Sequence, residues 1–211
     1  MLDRKLNKFF INSKLIYMVI VLMLILSACG GQSVAGATSY IATLDGAPAS
    51  ARVGIVVEDG KFKAYVCSLD DAFNLTSARW YSGELDANGG FQLVSSDGVE
   101  LKGSIQGDQF TGTLTNTQKV SMAFNGTAVT SGAPTGLYRG TGQYNNEDVI
   151  VGSVISADGT FAATAQYKDR FEFITPIAAE PVKLTDNTLG IKLGPTGEQI
   201  TVTLVTTLKG Q

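Results

Sequence analysis

The chain reads as an all-β protein, an antiparallel meander closing into a barrel-like or sandwich domain, placed after a helical N-terminal signal segment. Three observations predict this. From Thr38 onward apolar and polar residues alternate with period 2, the spacing of a half-buried strand. Asp-Gly and Asn-Gly pairs punctuate these runs, and they supply the positive φ that tight hairpins need. No stretch after residue 38 sustains an amphipathic helical pattern.

The elements follow in order. Residues 1–14 are basic and polar, and Leu15 to Leu26 is an unbroken apolar run of 12. That is shorter than the roughly 20 residues a membrane-spanning helix needs, and it matches the apolar region of a secretory signal. Leu26-Ser27-Ala28-Cys29 follows directly. This tetrapeptide resembles the bacterial lipoprotein signal, the lipobox. The resemblance implies removal of residues 1–28 and acylation of the Cys29 thiol, and two or three acyl chains suffice for stable anchoring. Residues 29–37 are then the lipidated Cys and a flexible linker. Its Gly30–Ala37 part spans roughly 15 Å as a coil, which holds the folded part close to the membrane. The expected location is extracytoplasmic, anchored by lipid to a bacterial membrane.

Residues 38–211 are expected to form a single all-β domain, with a possible subdivision near 131–136 (SGAPTG). Clean alternation marks Phe110–Thr115 and Ile200–Leu204. Leu101, Gly103 and Ile105 share a face, as do Val120, Met122 and Phe124. Turns are predicted at Asp59-Gly60, Asn88-Gly89, Asp97-Gly98, Gly107-Asp108, Asn125-Gly126 and Asp158-Gly159. About 12–15 short strands result by the usual strand-and-turn criteria. Leu69–Leu75 is the one short helical candidate, capped by an Asp. Such a meander must hide its edges by closing or by packing as two sheets. Val53–Ala64 echoes Val151–Ala163 with one inserted residue: valines, an Asp-Gly turn, and a Phe on the return. The echo reads either as a duplicated half-site or as the common look of valine-rich hairpins, and the second is simpler.

Removal of residues 1–28 would leave 183 residues with 12 Lys+Arg against 18 Asp+Glu, a net charge of −6. An acidic, evenly charged chain is a poor partner for nucleic acid, whose binding rests on basic residues. The chain has no His. That excludes Ser-His-Asp and Cys-His catalysis and His-ligated zinc. No metal site and no cofactor are predicted. Asp70-Asp71 and Glu147-Asp148 are acidic pairs on expected loops and read as solvated turns. Thr111, Thr113 and Thr115 form a stripe that β propensity explains.

A family resemblance rests on the order of several motifs. These are Ala64-Tyr65-Val66-Cys67, then Trp80 and Gly83, then Gly98-Val99-x-Leu101-x-Gly103, Phe110-x-Gly112-x-Leu114, Gly136-Leu137-Tyr138-Arg139 and Val151-Gly152-x-Val154. Over about residues 40–160 the chain resembles an uncharacterised β domain of exported bacterial proteins, common in actinobacteria. The resemblance implies an extracytoplasmic β domain and brings no catalytic residues.

Cys67 lacks a His partner to activate it and reads as a small buried hydrophobe under the 68–79 loop. Trp80 and Tyr81 point to opposite faces of one strand. If a ligand cavity exists, Trp80, Tyr65 and Tyr138 are the aromatics expected to line it. Arg139 is expected to pair with a carboxylate. These features predict a non-enzymatic binding or structural module of the envelope, attached to the membrane through its N-terminal lipid and serving an unknown protein or small-molecule partner. The alternative is a small-molecule or lipid carrier using a β-barrel cavity. A hydrolase built on paired carboxylates ranks last.

Overall fold

The computed structural model describes residues 36–130, 134–178, 180–194 and 197–209. The expected signal segment, Cys29 and nearly all of the expected linker lie outside them. Among the described residues no helix is long and apolar enough to cross a membrane.

Alternation does produce the strands. The first eight are β1 (Thr38–Leu44), β2 (Arg52–Glu58), β3 (Lys61–Cys67), β4 (Trp80–Glu84), β5 (Gly90–Val94), β6 (Glu100–Gln106), β7 (Gln109–Thr115) and β8 (Ser121–Val129). Each pairs antiparallel with the next except β4 with β5, and β8 returns to pair with β1. The result is a nearly closed barrel with one gap. Asp59 and Gly60, both at positive φ, close the β2–β3 hairpin, and Gly98 and Gly107 do the same for β5–β6 and β6–β7. The helix α1 (Asp71–Ser77) bridges β3 and β4, with the Asp70 side chain accepting from the Phe73 N–H.

The other seven strands repeat the scheme. They are β9 (Gly136–Tyr144), β10 (Glu147–Ile155), β11 (Phe161–Tyr167), β12 (Phe173–Ile174), β13 (Val182–Lys183), β14 (Thr188–Leu193) and β15 (Glu198–Leu204). The last pairs with the first, β15 with β9, and the gap falls between the two-residue strands β12 and β13. This second sheet is a half-barrel. The echoing hairpins are β2–β3 and β10–β11, the second and third strands of each sheet.

One expected turn is not a turn. Asn125-Gly126 lies inside β8, where Gly126 is paired on both sides, opposite Phe110 and Ala42. A Cβ there would collide with the Ile41 carbonyl. The glycine serves close backbone approach rather than positive φ.

Three apolar clusters hold the fold. The barrel interior is filled by rings and aliphatics: Phe62 lies 4.9 Å from Phe91, and Phe110 4.8 Å from Phe124, with Tyr81, Leu101 and Leu114 among them. The half-barrel has its own core around Tyr138, Val151, Ala163, Ile191 and Val202. The third cluster joins the outer faces of the two sheets through Ile41, Val56, Tyr65, Cys67, Leu137, Val154, Ala162 and Val205.

Two glycines set that junction. A Cβ on Gly54 would come within 2.8 Å of Val154, and a Cβ on Gly152 would lie inside the Tyr65 ring's contact distance. Tyr65, fully buried, lies against bare β10 backbone, and its hydroxyl donates to the Thr164 carbonyl at 3.2 Å. Polar ties flank the apolar contact. Arg52 Nε donates to Ser156 Oγ at 2.7 Å. After β15 the chain returns to β2, where Glu58 accepts from Thr207 Oγ1 at 2.8 Å and from the Leu208 N–H at 2.6 Å.

Overpacking a close contact costs about 1–3 kcal/mol. Gly152→Ala is expected to lower the free energy of unfolding by that much, read as a lower urea midpoint at an unchanged m-value. Adding Tyr65→Leu should cost less than the sum of the two single changes, because the same ring is in both. Additive costs would show that the ring and the glycine are not coupled.

Candidate functional site

Alternation decides what the outer faces present. On β3, Phe62, Ala64 and Val66 enter the barrel core, so Lys63, Tyr65 and Cys67 point outward toward the second sheet. On β4, Tyr81 enters the core while Trp80 and Ser82 face out. On the second sheet Tyr138, Val149 and Val151 enter the half-barrel core, leaving Leu137, Arg139, Ile150 and Gly152 toward the first. A cavity of about 520 Å³ forms where these faces diverge. It is lined by Lys63, Arg79, Trp80, Ser82, Ser95, Ser96, Arg139, Ile150, Gln166 and Phe171.

Two cross-strand pairs build its wall. Tyr65 sits opposite Trp80 on β3 and β4, and the two rings stack at 4.2 Å. Gly152 sits opposite Arg139 on β10 and β9. The Arg139 guanidinium lies 5.6 Å from the Trp80 ring centre, within reach of a cation–π attraction. It makes no ion pair among the described residues, which corrects the expected carboxylate partner. Sequence spacing could not supply that partner, because the pairing surface comes from a different sheet. The Trp80 indole N–H is buried and has no hydrogen-bond partner among the described residues.

Among the described residues the charged groups lining the cavity are cations. They are Lys63, Arg79 and Arg139, and no carboxylate among the described residues lines it. Burial, and then the neighbouring Arg139 charge, lower the pKa of the Lys63 ammonium. Arg79 is different because it is neutralised. Only 2% exposed, it makes a two-pronged ion pair with Asp97 and donates to the Ala78 and Leu75 carbonyls. Its guanidinium also lies over Phe171 and Phe173, at 4.6 and 4.9 Å. Burial alone would raise the Asp97 carboxyl. Hydrogen bonds from Arg79 and from Ser95 Oγ, the latter at 2.6 Å, outweigh it and hold the group below the usual range. The pair joins the start of β4 to the loop after β5, across the gap in the barrel.

Of the three aromatics expected together, the structure joins two. Trp80 lines the cavity and Tyr65 stacks on it. Tyr138 is fully buried inside the half-barrel, its hydroxyl donating to the Pro134 carbonyl at 2.8 Å. It does not reach the cavity because it stands one residue out of phase with Arg139. Cys67 is buried, and its cover is the second sheet, not the 68–79 loop. Burial raises its thiol pKa, opposed by the Val154 N–H and the Arg52 charge. The acidic pairs have structural partners: Asp70 caps α1, Asp71 accepts from Thr175, Glu147 pairs with Arg170, and Asp148 with Lys168. Lys63, Arg79 and Arg139 are the lining cations that motif reading did not assemble. Arg139 stood in a singled-out motif, and only outward phase on β9 would have paired it with Trp80.

No family model matches the chain, and no curated protein matches it. A crystal structure from Nitrosomonas europaea, provisionally named ATTH, is similar over 80% of this chain and 92% of that chain, at 10% identity and a TM-score of 0.23. A likeness at that level carries no functional information.

Asp97→Asn leaves the buried Arg79 charge uncompensated. Breaking a buried pair costs about 3–5 kcal/mol, and the low end applies here because Asp97 keeps partial contact with water. The wild-type carboxyl is depressed in the folded state, so its contribution is full above the unfolded pKa of about 4 and is lost as pH falls through the folded value. Urea unfolding of the two proteins from pH 7 to pH 3 should therefore show their stabilities converging in acid. Parallel curves would rule out the pair as the source.

Proposed function

We propose that the protein is a lipid-anchored extracytoplasmic protein of the bacterial envelope, acting as a non-enzymatic binding module whose site is the cavity between the two sheets. The observation that carries this reading is the cavity's wall. Its aromatic floor and its charged donors come from two sheets with separate cores and meet only at their junction. A junction built for stability alone is better served by apolar filling, since buried charge costs free energy unless matched. The Leu26–Cys29 tetrapeptide after a short apolar run supports the anchor, and the short linker keeps the site near the membrane. The resemblance to exported β domains supports the same location.

A carrier reading has one observation in its favour, and it is not the barrel interior, which rings fill. A groove of about 680 Å³ opens beside α1 and β12. It is lined by Leu69, Leu75, Tyr144, Tyr167, Phe173, Ile174 and Pro176 with Asp71 and Glu172. Its wall mixes aromatic and aliphatic side chains with Asp71, Glu172 and Thr175, which suits a ligand with both an apolar and a polar part.

Cys29→Ser is expected to move the protein out of the membrane fraction and to abolish acyl labelling. Retention at the membrane without label would point to an uncleaved anchor instead. Native mass spectrometry of the protein released from its own envelope should show a bound mass beyond the covalent lipid. Ser82→Tyr, which places a ring in the cavity, should remove that mass. A mass that survives Ser82→Tyr but is lost in Phe173→Ala belongs to the groove and favours the carrier. A protein with only its covalent lipid would redirect the search to a protein partner.

A further inference from the structure

We infer that the groove at the mouth of the half-barrel binds a small organic cation, a primary amine carried on an apolar body, with the Asp71 carboxylate and the Tyr144 hydroxyl receiving its head. The inference rests on the carrier reading of that groove and names its ligand class; it does not depend on the cavity between the sheets.

Three observations carry it. The first is a pair of unanswered hydroxyls. Tyr144 ends β9 and Tyr167 ends β11, and both belong to the half-barrel core. The two residues are only 6% and 5% exposed, and both line the groove. Neither hydroxyl has a hydrogen-bond partner among the described residues. Neither is among the fully enclosed polar atoms left without one, so each keeps surface that a ligand in the groove reaches. Gly194, at positive φ, lines the groove beside Tyr144, and a Cβ there would fall on the phenol oxygen. The glycine leaves that oxygen uncovered.

The second observation is charge. Among the described residues Asp71 and Glu172 are the charged groups that line the groove, and no cation does. Glu172 shares Arg170 with Glu147 and Asp169, one cation among three carboxylates. Asp71 makes no ion pair among the described residues. Its Oδ1 accepts from the Thr175 hydroxyl, which in turn accepts from Asn74 Nδ2 at 3.3 Å. This chain holds the carboxylate in place before any ligand arrives, which lowers the cost of binding. Carboxylates only accept, while phenol hydroxyls also donate. The head that satisfies this set must therefore donate, and a positive head gains charge attraction as well. A carboxylate head would meet two like charges.

The third observation is the apolar wall. Asp71 and Leu75 stand four residues apart on α1 and so share a face. Leu75 is 58% exposed, an uncovered aliphatic lip beside the carboxylate. Phe173 and Tyr167 continue the wall, but each ring already lies under a guanidinium, Arg79 at 4.9 Å and Arg170 at 3.7 Å. The rings therefore supply apolar area, and recognition of charge falls to Asp71.

The full-length protein is titrated by calorimetry at pH 7 with 2-phenylethylamine, with 2-phenylethanol as the neutral counterpart and 3-phenylpropionate as the anionic one. Saturable binding of the amine is expected, with the alcohol weaker and the carboxylate weakest. Asp71→Asn keeps an oxygen for Thr175 and should weaken the amine about fivefold, the upper range for an exposed ion pair, while leaving the alcohol unchanged. Tyr144→Phe should weaken amine and alcohol alike, because both heads donate. If Asp71→Asn does not fold, Leu75→Lys, at an exposed position, puts an ammonium in the groove and should abolish amine binding. Carboxylate binding as tight as the amine's overturns the inference, as does amine binding that neither Asp71→Asn nor Leu75→Lys weakens. Equal binding of amine and alcohol overturns the cation class and leaves a carrier of neutral ligands standing. No binding of any probe also overturns the inference, and loss of the envelope-derived bound mass in Phe173→Ala then decides the carrier reading separately.

Discussion

Tyr65 lying on Gly152 is the contact on which the rest of the molecule depends. A strand's outer face normally carries side chains that hold a second sheet about 10 Å away. Here β10 offers bare backbone, so a whole phenol ring fits between the sheets and its hydroxyl reaches the Thr164 carbonyl. The ring in turn fixes Trp80 by stacking at 4.2 Å. The Arg139 guanidinium lies 5.6 Å from the centre of that Trp80 ring. A side chain on Gly152 would therefore disturb the core junction and the cavity wall through one atom.

The two sheets solve the same edge problem in the same way. Each closes by pairing its first strand with its last, and each leaves one gap. The first sheet ties its gap with the Arg79–Asp97 pair. The second leaves only two-residue strands at its gap, which limits the backbone exposed to foreign pairing. Neither sheet is left to stand alone: Arg52 reaches Ser156, and the chain after β15 returns to Glu58. Those ties cross between sheets that each have their own apolar core, so residues 36–211 form one compact unit.

The architecture was largely legible in the sequence because its signals are local. Period-2 alternation at Phe110–Thr115 and Ile200–Leu204 gave real strands, and Asp59-Gly60 and Asp158-Gly159 sit at real hairpins. Asn125-Gly126 misled because the same dipeptide also permits close backbone approach inside a sheet. The Asn145-Asn146 turn, with both residues at positive φ, carried no glycine to mark it. The opposite facing of Trp80 and Tyr81 followed from strand geometry. The site itself was only half legible. Trp80 and Tyr65 are cross-strand neighbours on adjacent strands, so one sheet's pattern points to both. Arg139 and Phe171 come from the other side of the junction, and no local pattern states which outer faces will meet.

The echo between the hairpins gains meaning once the fold is known. Hairpins of this kind look alike for physical reasons, and similarity alone says little. These two occupy equivalent positions in sheets of equivalent connectivity, and they face each other across the junction with their glycines in matching places. A self-complementary contact between two like units is the geometry of a two-fold dimer, here within one chain. Such an arrangement presents every interface environment twice. Stability needs only that both copies be filled. Ile41, the strand partner of Gly54, and Ala162, which matches Lys63 in the echo, fill one of them with hydrocarbon. The other copy, holding Arg139 and Lys63, is free to depart from the apolar solution because the first already secures the junction. That division explains how a charged cavity can exist in the middle of a packed interface without unfastening it.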